Sequence, residues 1–309
     1  MKVLVTGGTG MVGKAFNHIE TEHELTLVGS RQYNLESWRD TRLMIETHAP
    51  DVIIHLAAKV GGIKANMNHQ GDFYKNNIMI NTNVLEAAQR LKVEKVISLL
   101  STCVYPDNAN YPLTEDQIHN GPPHHSNFGY AYAKRMLEVQ SRAYRQQHGR
   151  NYITAIPNNL FGEHDSFDLE NSHVIPAIIR KIYEAKLNNE AVVLWGDGSP
   201  LREFTYSKDL ADILLFLLDN YNESEPINIG NTQEISIKQV AEIIANILNF
   251  KGNIIWDTTK PAGQYRKPSD NSKLLELGWR EENYTEFEKA LTNTCKWVIL
   301  KYPNIRGVC

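Results

Sequence analysis

Residues 2–13 read Lys2-Val3-Leu4-Val5-Thr6-Gly7-Gly8-Thr9-Gly10-Met11-Val12-Gly13. An apolar run typical of a buried strand is followed at once by a turn in which Gly8, Gly10 and Gly13 have the spacing G-x-G-x-x-G. Glycine is needed in such a turn because a side chain would keep the backbone away from a pyrophosphate and the next helix away from the strand. The stretch therefore predicts a dinucleotide-binding turn, with a purely structural glycine turn as the alternative.

The alternation that begins in this stretch continues through the first half of the chain. Short apolar runs alternate with longer amphipathic segments, which is typical of a parallel sheet covered by helices on both faces. We predict strands at residues 2–6, 25–28, 52–56, 95–100 and 152–156, and helices at residues 73–91, 130–147, 174–187 and 237–248. The predicted fold class is α/β, a Rossmann-type doubly wound parallel sheet with a smaller mixed α/β substrate lobe.

The regular alternation ends near Phe161, where prolines and a series of Asn, Asp and Gly residues break it. We expect the dinucleotide-binding domain to span residues 1–165, and the chain to return to it around residues 204–229, where two further strand-like runs occur. The smaller lobe is expected to hold residues 166–203 and 230–309.

The composition of the 309 residues excludes several other kinds of protein. The 32 Lys and Arg against 36 Asp and Glu give a formal net charge of -4, so no basic field attracts nucleic acid. No apolar stretch reaches the roughly 18 residues that a membrane-spanning helix needs. Cys103, Cys295 and Cys309 are too few and too widely spaced for a disulfide framework or a zinc cluster. We expect a soluble, cytoplasmic protein that binds neither nucleic acid nor membrane.

The residues after the second predicted strand indicate which dinucleotide binds. An Asp or Glu roughly 20 residues past the glycines usually holds the free hydroxyls of the NAD ribose. The stretch Val28-Gly29-Ser30-Arg31 offers a hydroxyl and a guanidinium there instead. Because Arg31 can pair with a 2'-phosphate that a carboxylate would repel, the sequence favours NADP(H). The alternative is that Arg31 is an ordinary solvated side chain.

A serine, a tyrosine and a lysine in the middle of the sequence suggest a site of proton transfer. Tyr130 and Lys134 lie four residues apart, so a helix places them on one face. A tyrosine with a pKa of about 10 exchanges its proton poorly at neutral pH unless a nearby ammonium lowers that pKa. Ser101 follows an apolar strand, at the sheet edge where doubly wound folds bind ligands. We expect Ser101 to hydrogen-bond a substrate oxygen while Tyr130 exchanges its proton, and a surface Tyr–Lys pair is the alternative.

These features, together with His55-Leu56-Ala57-Ala58, resemble those of the extended short-chain dehydrogenase/reductase family that acts on nucleotide sugars, over nearly the whole chain. Five motifs narrow the resemblance to the bifunctional members that epimerise carbons 3 and 5 of GDP-4-keto-6-deoxy-mannose and reduce carbon 4. The motifs are Ala58-Lys59-Val60-Gly61-Gly62-Ile63, Ser101-Thr102-Cys103-Val104-Tyr105-Pro106, Asn120-Gly121-Pro122-Pro123-His124, Asn171-Ser172-His173-Val174-Ile175-Pro176 and Trp195-Gly196-Asp197-Gly198.

The resemblance gives Cys103 and His173 the roles of acid and base at carbons 3 and 5. Dehydratases of the family are expected to carry an Asp-Glu pair where this chain has Thr102-Cys103. A thiol with an ordinary pKa of about 8.5 becomes a usable base when a helix terminus or an imidazolium lowers that pKa. From the residues alone, a cysteine at the place of Cys103 is more often a small buried packing residue, and a histidine at the place of His173 is usually a capping or packing residue. No metal is expected, since the histidines lack a compact ligand spacing.

The resemblance also implies an NADP(H) cofactor, a nucleotide-sugar substrate and a homodimer formed through the helices predicted at residues 73–91 and 130–147. Two other readings of the sequence are a reductase or epimerase of another 4-keto nucleotide sugar and a non-catalytic NADP-binding regulatory protein. The expected catalytic residues are Ser101, Cys103, Tyr130, Lys134 and His173. The expected cofactor-binding residues are Gly7, Gly8, Thr9, Gly10, Met11, Val12, Gly13, Ser30, Arg31, Leu56, Ala57, Ala58, Tyr130, Lys134, Pro157 and His173. The expected contacts of the GDP moiety are Asn159, Lys181, Val193, Trp195, Arg202 and Lys267.

Overall fold

A computed structural model describes residues 1–260 and 265–308 of the chain, so Cys309 lies outside the described residues. The strands in the described part are β1 Lys2–Thr6, β2 Glu24–Val28, β3 Val52–His55, β4 Lys95–Leu99, β5 Asn151–Pro157, β6 Asn159–Phe161, β7 Val192–Trp195, β8 Leu201–Tyr206, β9 Ile227–Ile229, β10 Glu234–Ser236 and β11 Ile254–Asp257. The α-helices there are α1 Met11–Ala15, α2 Trp38–His48, α3 Ile63–Asn68, α4 Gln70–Arg90, α5 Phe128–His148, α6 Val174–Asn188, α7 Ser207–Asn220, α8 Ile237–Ile247, α9 Ser272–Glu276 and α10 Phe287–Lys301.

Six parallel strands form the central sheet, in the order β2-β1-β3-β4-β5-β9. Both faces of β1 are buried, because Val3 and Val5 pack in the core layer that contains α7 and Leu4 packs in the layer that contains α4. The five predicted strands are all present, and the Rossmann-type fold class is confirmed. The chain passes from β1 to β2 on one side and to β3 on the other, which makes the carboxyl ends of β1 and β3 the switch point where such folds bind ligands.

A second hydrophobic core lies among the elements that follow β5. It is built mainly from α6, α8 and α10 with strands β7 and β8. The expectation that both strand-like runs within residues 204–229 rejoin the central sheet was wrong for the first run. β8 pairs with β6 and β10 instead, because Phe204 and Tyr206 pack in the second core. Only the second run, β9, pairs with the central sheet, beside β5.

Helices α4 and α5 are the longest in the described part, with 21 residues each, and they pack against one another beside the central sheet. α5 ends at Gly149, whose φ of 65° is a left-handed conformation that glycine adopts without strain. Among the helices of residues 1–260 and 265–308, none combines the length and the apolar character needed to cross a membrane.

Candidate active site

The glycine turn lies at the switch point, between the end of β1 and the loop after β3. Gly10 N–H donates to Gly7 O at 2.9 Å, which closes the turn. A Cβ on Gly13 would lie 2.4 Å from Gly7 O and 2.5 Å from Gly8 Cα, and a Cβ on Gly7 would lie 2.8 Å from the Ala57 nitrogen. Because main-chain atoms exclude side chains at these positions, the turn presents bare backbone that fits a pyrophosphate.

Other residues predicted to bind the dinucleotide also lie on segments at this edge of the sheet. Met11 and Val12 begin α1 directly after the turn. The side chain of Thr9 packs where a Cβ on Gly29 would lie, 2.5 Å away, so that the turn after β2 comes close to the glycine turn. Pro157 is buried at the carboxyl end of β5.

Ser30 and Arg31 lie exposed on the turn after β2. The turn is closed by Gln32 N–H and Tyr33 N–H, which donate to Gly29 O at 3.0 Å and 3.2 Å. The exposed guanidinium of Arg31 suits a contact with a 2'-phosphate, and this role stays a prediction.

A buried network that the sequence did not suggest holds the loop of Leu56 to Ala58. His55 Nδ1 lies 2.8 Å from Thr6 Oγ1, His55 Nε2 lies 3.1 Å from Asn81 Oδ1, and Ala57 N–H donates to Thr6 Oγ1 at 3.3 Å. Desolvation, helped by nearby Lys134, lowers the pKa of His55 to about 3, so the ring is neutral. Its Nε2–H therefore donates to Asn81, and the Thr6 hydroxyl donates to Nδ1.

This network could have been noticed from the asparagines of α4. Asn77 and Asn81 lie four residues apart in a helix whose other buried positions are mostly apolar, and both are fully buried. Asn77 Nδ2 donates to Lys59 O at 3.0 Å, and its Oδ1 accepts from Lys59 N–H at 3.0 Å. Buried amides at this spacing indicate that α4 holds the loop after β3 by side-chain hydrogen bonds.

Ser101 and Cys103 lie at the carboxyl end of β4. Ser101 Oγ accepts from Cys103 N–H at 3.5 Å and begins a short 3-10 helix. Burial raises the pKa of the Cys103 thiol, although the Ser101 hydrogen bond and the cations of Lys267, Lys134 and Arg135 lower it. The expectation that a helix terminus or an imidazolium lowers this pKa was wrong. The nearby charges are two amines and a guanidinium, and the effect of burial exceeds theirs.

Tyr130 and Lys134 share one face of α5, as their spacing predicts. Lys134 Nζ donates to Leu99 O at 2.6 Å and lies 5.9 Å from the centre of the Tyr130 ring. Burial lowers the pKa of Lys134 to about 8, whereas burial and then nearby Cys103 raise the pKa of Tyr130. The expectation that Lys134 lowers the pKa of the tyrosine was wrong, because the ammonium faces a main-chain carbonyl. Tyr130 therefore keeps its proton at neutral pH and is suited to donate it.

His173 precedes α6 as its N-cap residue, and its side chain is exposed. The imidazole makes no capping hydrogen bond, which removes the main structural explanation for a histidine at this place. Gly62 N–H donates to Asn171 O at 2.8 Å, so the loop after β3 contacts the segment that carries His173. The carboxyl group of Asp165 is close enough to interact electrostatically with His173; burial raises the pKa of Asp165, and His173 partly opposes this effect.

The residues predicted to contact GDP fall into two groups, and the first is built around β7. Lys181 Nζ donates to Val193 O at 3.1 Å and lies 5.7 Å from the centre of the Trp195 ring. The side chains of Val193 and Trp195 are 46% and 54% exposed. This exposed apolar surface with one adjacent ammonium is suited to packing against a base or a sugar.

Arg202 and Lys267 form the second group, in which Lys267 lies near Cys103. Desolvation lowers the pKa of Lys267, and the next largest influences on it are Cys103 and then Arg202. Desolvation also lowers the pKa of Arg202, which donates to two main-chain carbonyls. Asn159 Nδ2 donates to Glu203 O at 2.8 Å, next to Arg202 in the chain. Two desolvated cations close enough to act on one another are suited to neutralising a diphosphate.

Metal-ligating side chains do not gather at this site. Within the described ranges, no group of three or more His, Cys, Asp or Glu residues is placed to hold a metal ion. His124 accepts from Ser126 N–H at 3.2 Å, and its ring lies 4.2 Å from that of His125.

The doubly wound sheet, the glycine turn and the Tyr–Lys pair beside a serine together define a dinucleotide-dependent enzyme. A family model described as the NAD dependent epimerase/dehydratase family matches residues 3–230. The chain belongs to this family.

Several of its relatives are named GDP-L-fucose synthases. One from Dictyostelium discoideum is 43% identical over 98% of this chain and 97% of the relative. A probable one from Drosophila melanogaster is 41% identical over 99% of both chains. The crystal structure of a GDP-L-fucose synthetase from Naegleria fowleri bound to NADP is 42% identical, with a TM-score of 0.93 over 99% of this chain and 94% of that one. These similarities confirm the resemblance that the motifs indicate.

Proposed function

We propose that this protein converts GDP-4-keto-6-deoxy-D-mannose to GDP-L-fucose, by epimerisation at carbons 3 and 5 followed by NADPH-dependent reduction at carbon 4. The observation that carries the proposal is the meeting of Cys103, Tyr130 and Lys134 in one cluster at the edge of the central sheet, within electrostatic reach of one another. The names of relatives that are similar over their whole lengths support the substrate.

NADP(H) is the proposed cofactor. The bare backbone of Gly7 and Gly13 fits its pyrophosphate, and Arg31 is placed on the turn where a 2'-phosphate is expected. The Naegleria structure bound to NADP supports the same assignment. Residues 1–165 together with β9 would hold the cofactor, and the second core with its loops would hold GDP.

The epimerisation uses the ketone at carbon 4, which acidifies the hydrogens at carbons 3 and 5. Cys103 and His173 remove and return the protons at these carbons through an enolate. Hydrogen bonds from Ser101 and Tyr130 stabilise the enolate oxygen, where negative charge develops. Because burial raises the pKa of the Cys103 thiol, proton removal by this residue accelerates as the pH rises toward that pKa.

The reduction follows in the same pocket. NADPH, when bound, supplies the hydride for carbon 4. Tyr130, whose phenol stays protonated at neutral pH because burial raises its pKa, gives its proton to the carbon-4 oxygen as negative charge develops there. Lys134 is fixed by its bond to Leu99 O and would hold the cofactor ribose with its remaining N–H donors.

GDP would lie across the two groups of predicted contacts. Trp195 and Val193 would pack against the base or its ribose, and Lys181 would add a positive charge at the rim of that surface. Arg202 and Lys267 would neutralise the diphosphate near the thiol. Asn159 would contact the sugar nucleotide from the start of β6.

The experiment is an incubation of the purified protein with NADPH and 4-keto-6-deoxy-hexoses linked to GDP, dTDP or UDP. We expect one NADPH oxidised for each GDP-L-fucose formed, identified by NMR, and a preference of at least about tenfold for the GDP sugar. Equal turnover of the dTDP or UDP sugar would indicate a reductase or epimerase of another nucleotide sugar. NADPH binding without turnover of any of them would indicate a regulatory protein.

We also propose a homodimer formed through α4 and α5, in the cytoplasm. Large apolar side chains are exposed on both helices, among them Tyr74 and Met79 on α4 and Met136 and Val139 on α5. The thiols of Cys103 and Cys295 are unpaired, as expected in a reducing compartment. Sedimentation velocity should give twice the chain mass of 35.2 kDa, and a monomer at micromolar concentration would contradict this interface.

A further inference from the structure

Arg135 is a buried cation to which the proposed reaction assigns no role. Its side chain is 3% exposed and follows Lys134 on α5. Its Nε donates to Val104 O at 2.6 Å and its Nη1 donates to Gly121 O at 2.7 Å. Within residues 1–260 and 265–308, its Nη2 has no hydrogen-bond partner. A buried guanidinium bound to carbonyls alone is costly, so its retention requires a compensating interaction.

The two carbonyls that Arg135 binds belong to two different loops. One follows Cys103 directly, and the other lies in the Asn-Gly-Pro-Pro-His motif of residues 120–124. These loops are also paired through their main chains, because residues 106–107 contact residues 122–123 by an isolated bridge and a 3.0 Å hydrogen bond. Arg135 therefore fastens the turn that carries Cys103 to α5 and to a motif that otherwise has no assigned function.

The guanidinium also acts on the thiol as a charge. Arg135, Lys134 and Lys267 each lower the pKa of Cys103, against the larger effect of burial. Desolvation lowers the pKa of Arg135 itself, while Tyr132, whose ring centre lies 5.3 Å away, and Cys103 raise it. The two lysines have roles with the cofactor and the substrate and have lowered pKa values. An arginine stays charged at every physiological pH, so Arg135 is the permanent cation at this thiol.

We propose that Arg135 is a positioning residue for the epimerisation, which holds the Cys103 turn by two hydrogen bonds and supplies the fixed positive charge that favours the thiolate. This inference rests on the proposed role of Cys103. The other groups that act on the thiol are the Ser101 hydroxyl, the Tyr130 phenol and the ammonium groups of Lys134 and Lys267.

The test is the rate of alkylation of Cys103 by iodoacetamide between pH 6 and pH 10, measured without substrate. Only the thiolate reacts, and peptide mass spectrometry separates Cys103 from the other cysteines. Arg135→Gln removes the charge and should slow alkylation at neutral pH about tenfold, which corresponds to a midpoint about one pH unit higher. Arg142→Gln is the matched control, because this arginine lies on the same helix but is 43% exposed and paired with Glu138. It should leave the profile unchanged.

Arg135→Lys separates the charge from the hydrogen bonds. It should keep the alkylation midpoint close to that of the native protein, because the positive charge is retained. It should lower kcat for solvent exchange at carbons 3 and 5 about tenfold with KM changed less than twofold, because the two-carbonyl contact is lost and the thiol is misplaced.

Several results would overturn the inference. One is an unchanged midpoint in an Arg135→Gln variant that still binds NADPH, and another is an equal shift in the Arg142→Gln control. If the Arg135→Gln variant no longer binds NADPH, the test rests on the Arg135→Lys variant alone. An unchanged kcat for solvent exchange in Arg135→Lys would then contradict the positioning role. A shifted alkylation profile in a protein that turns over no keto-sugar would instead contradict the proposed function, and it would leave the charge effect of Arg135 established.

Discussion

The glycine turn and the thiol pocket lie at the same end of the central sheet, yet they are determined in different ways. Gly10 and Gly13 are fixed by main-chain atoms of the same short stretch, as the 2.4 Å between a Gly13 Cβ and Gly7 O shows. The pocket of Cys103 gathers charges from α5 and from Lys267, far along the chain, and its protonation depends on a balance between burial and those charges. Local sterics can be inferred from a motif, whereas such a balance exists only in the folded protein.

The largest effect should come from the thiol pocket, by the variant Cys103→Ser. Serine has nearly the same shape, but its hydroxyl ionises far less readily than a thiol, so proton transfer at carbons 3 and 5 should slow by about 10² to 10⁴-fold. The measurement is solvent-deuterium exchange into the keto-sugar without NADPH. The affinity for NADPH should stay the same. Exchange at the native rate would show that Cys103 is a packing residue, and the contrast between the two regions would fail.

The second largest effect should come from a substitution in the glycine turn, for a steric reason. Gly13→Ala places a Cβ against main-chain atoms that cannot move independently, so we expect a loss of about 1–3 kcal/mol in the free energy of unfolding and at least a tenfold weaker binding of NADPH. Thermal melting and fluorescence titration measure the two. Gly71→Ala on α4 is the control, because nothing lies within 4 Å of its added Cβ. If both variants bind NADPH normally, the turn does not hold the cofactor.

The smallest effect of the three should come from Arg31, because its side chain is exposed and solvent screens its charge. If Arg31 binds the 2'-phosphate as proposed, Arg31→Asp would remove a charge-assisted hydrogen bond and add a like charge, so KM for NADPH should rise about tenfold. KM for NADH should change less than about threefold, since NADH has no such phosphate. Steady-state kinetics with both cofactors would show the split. Equal changes in KM for NADPH and NADH would show that Arg31 is an ordinary solvated side chain.

Much of the fold followed from local patterns. β1 has the predicted bounds, residues 2–6, because its apolar centre of Val3, Leu4 and Val5 forms a buried parallel strand that the glycine turn terminates. β8 shows the limit of such inference. Its apolar residues predict a strand, but its partners β6 and β10 are chosen by packing in the second core, which no local pattern contains.

The candidate site also has features that local sequence patterns predict and features that they do not. Helical spacing was sufficient to place Tyr130 and Lys134 on one face. It could not show that the ammonium bonds to Leu99 O, 35 residues away, nor that burial raises the pKa of the phenol. The network of Thr6, His55 and Asn81 likewise joins three segments that are distant in sequence. The catalytic and ligand-binding roles given to the individual residues stay predictions.

In the proposed reaction, the substrate exchanges protons at carbons 3 and 5 and then accepts a hydride at carbon 4, all in one pocket. The most direct measurement is the position of carbon-bound deuterium in the product formed in D₂O with unlabelled NADPH, read by NMR. We predict deuterium at carbons 3 and 5 and ordinary hydrogen at carbon 4. A product without deuterium at carbon 3 or carbon 5, or with deuterium at carbon 4, would contradict the account.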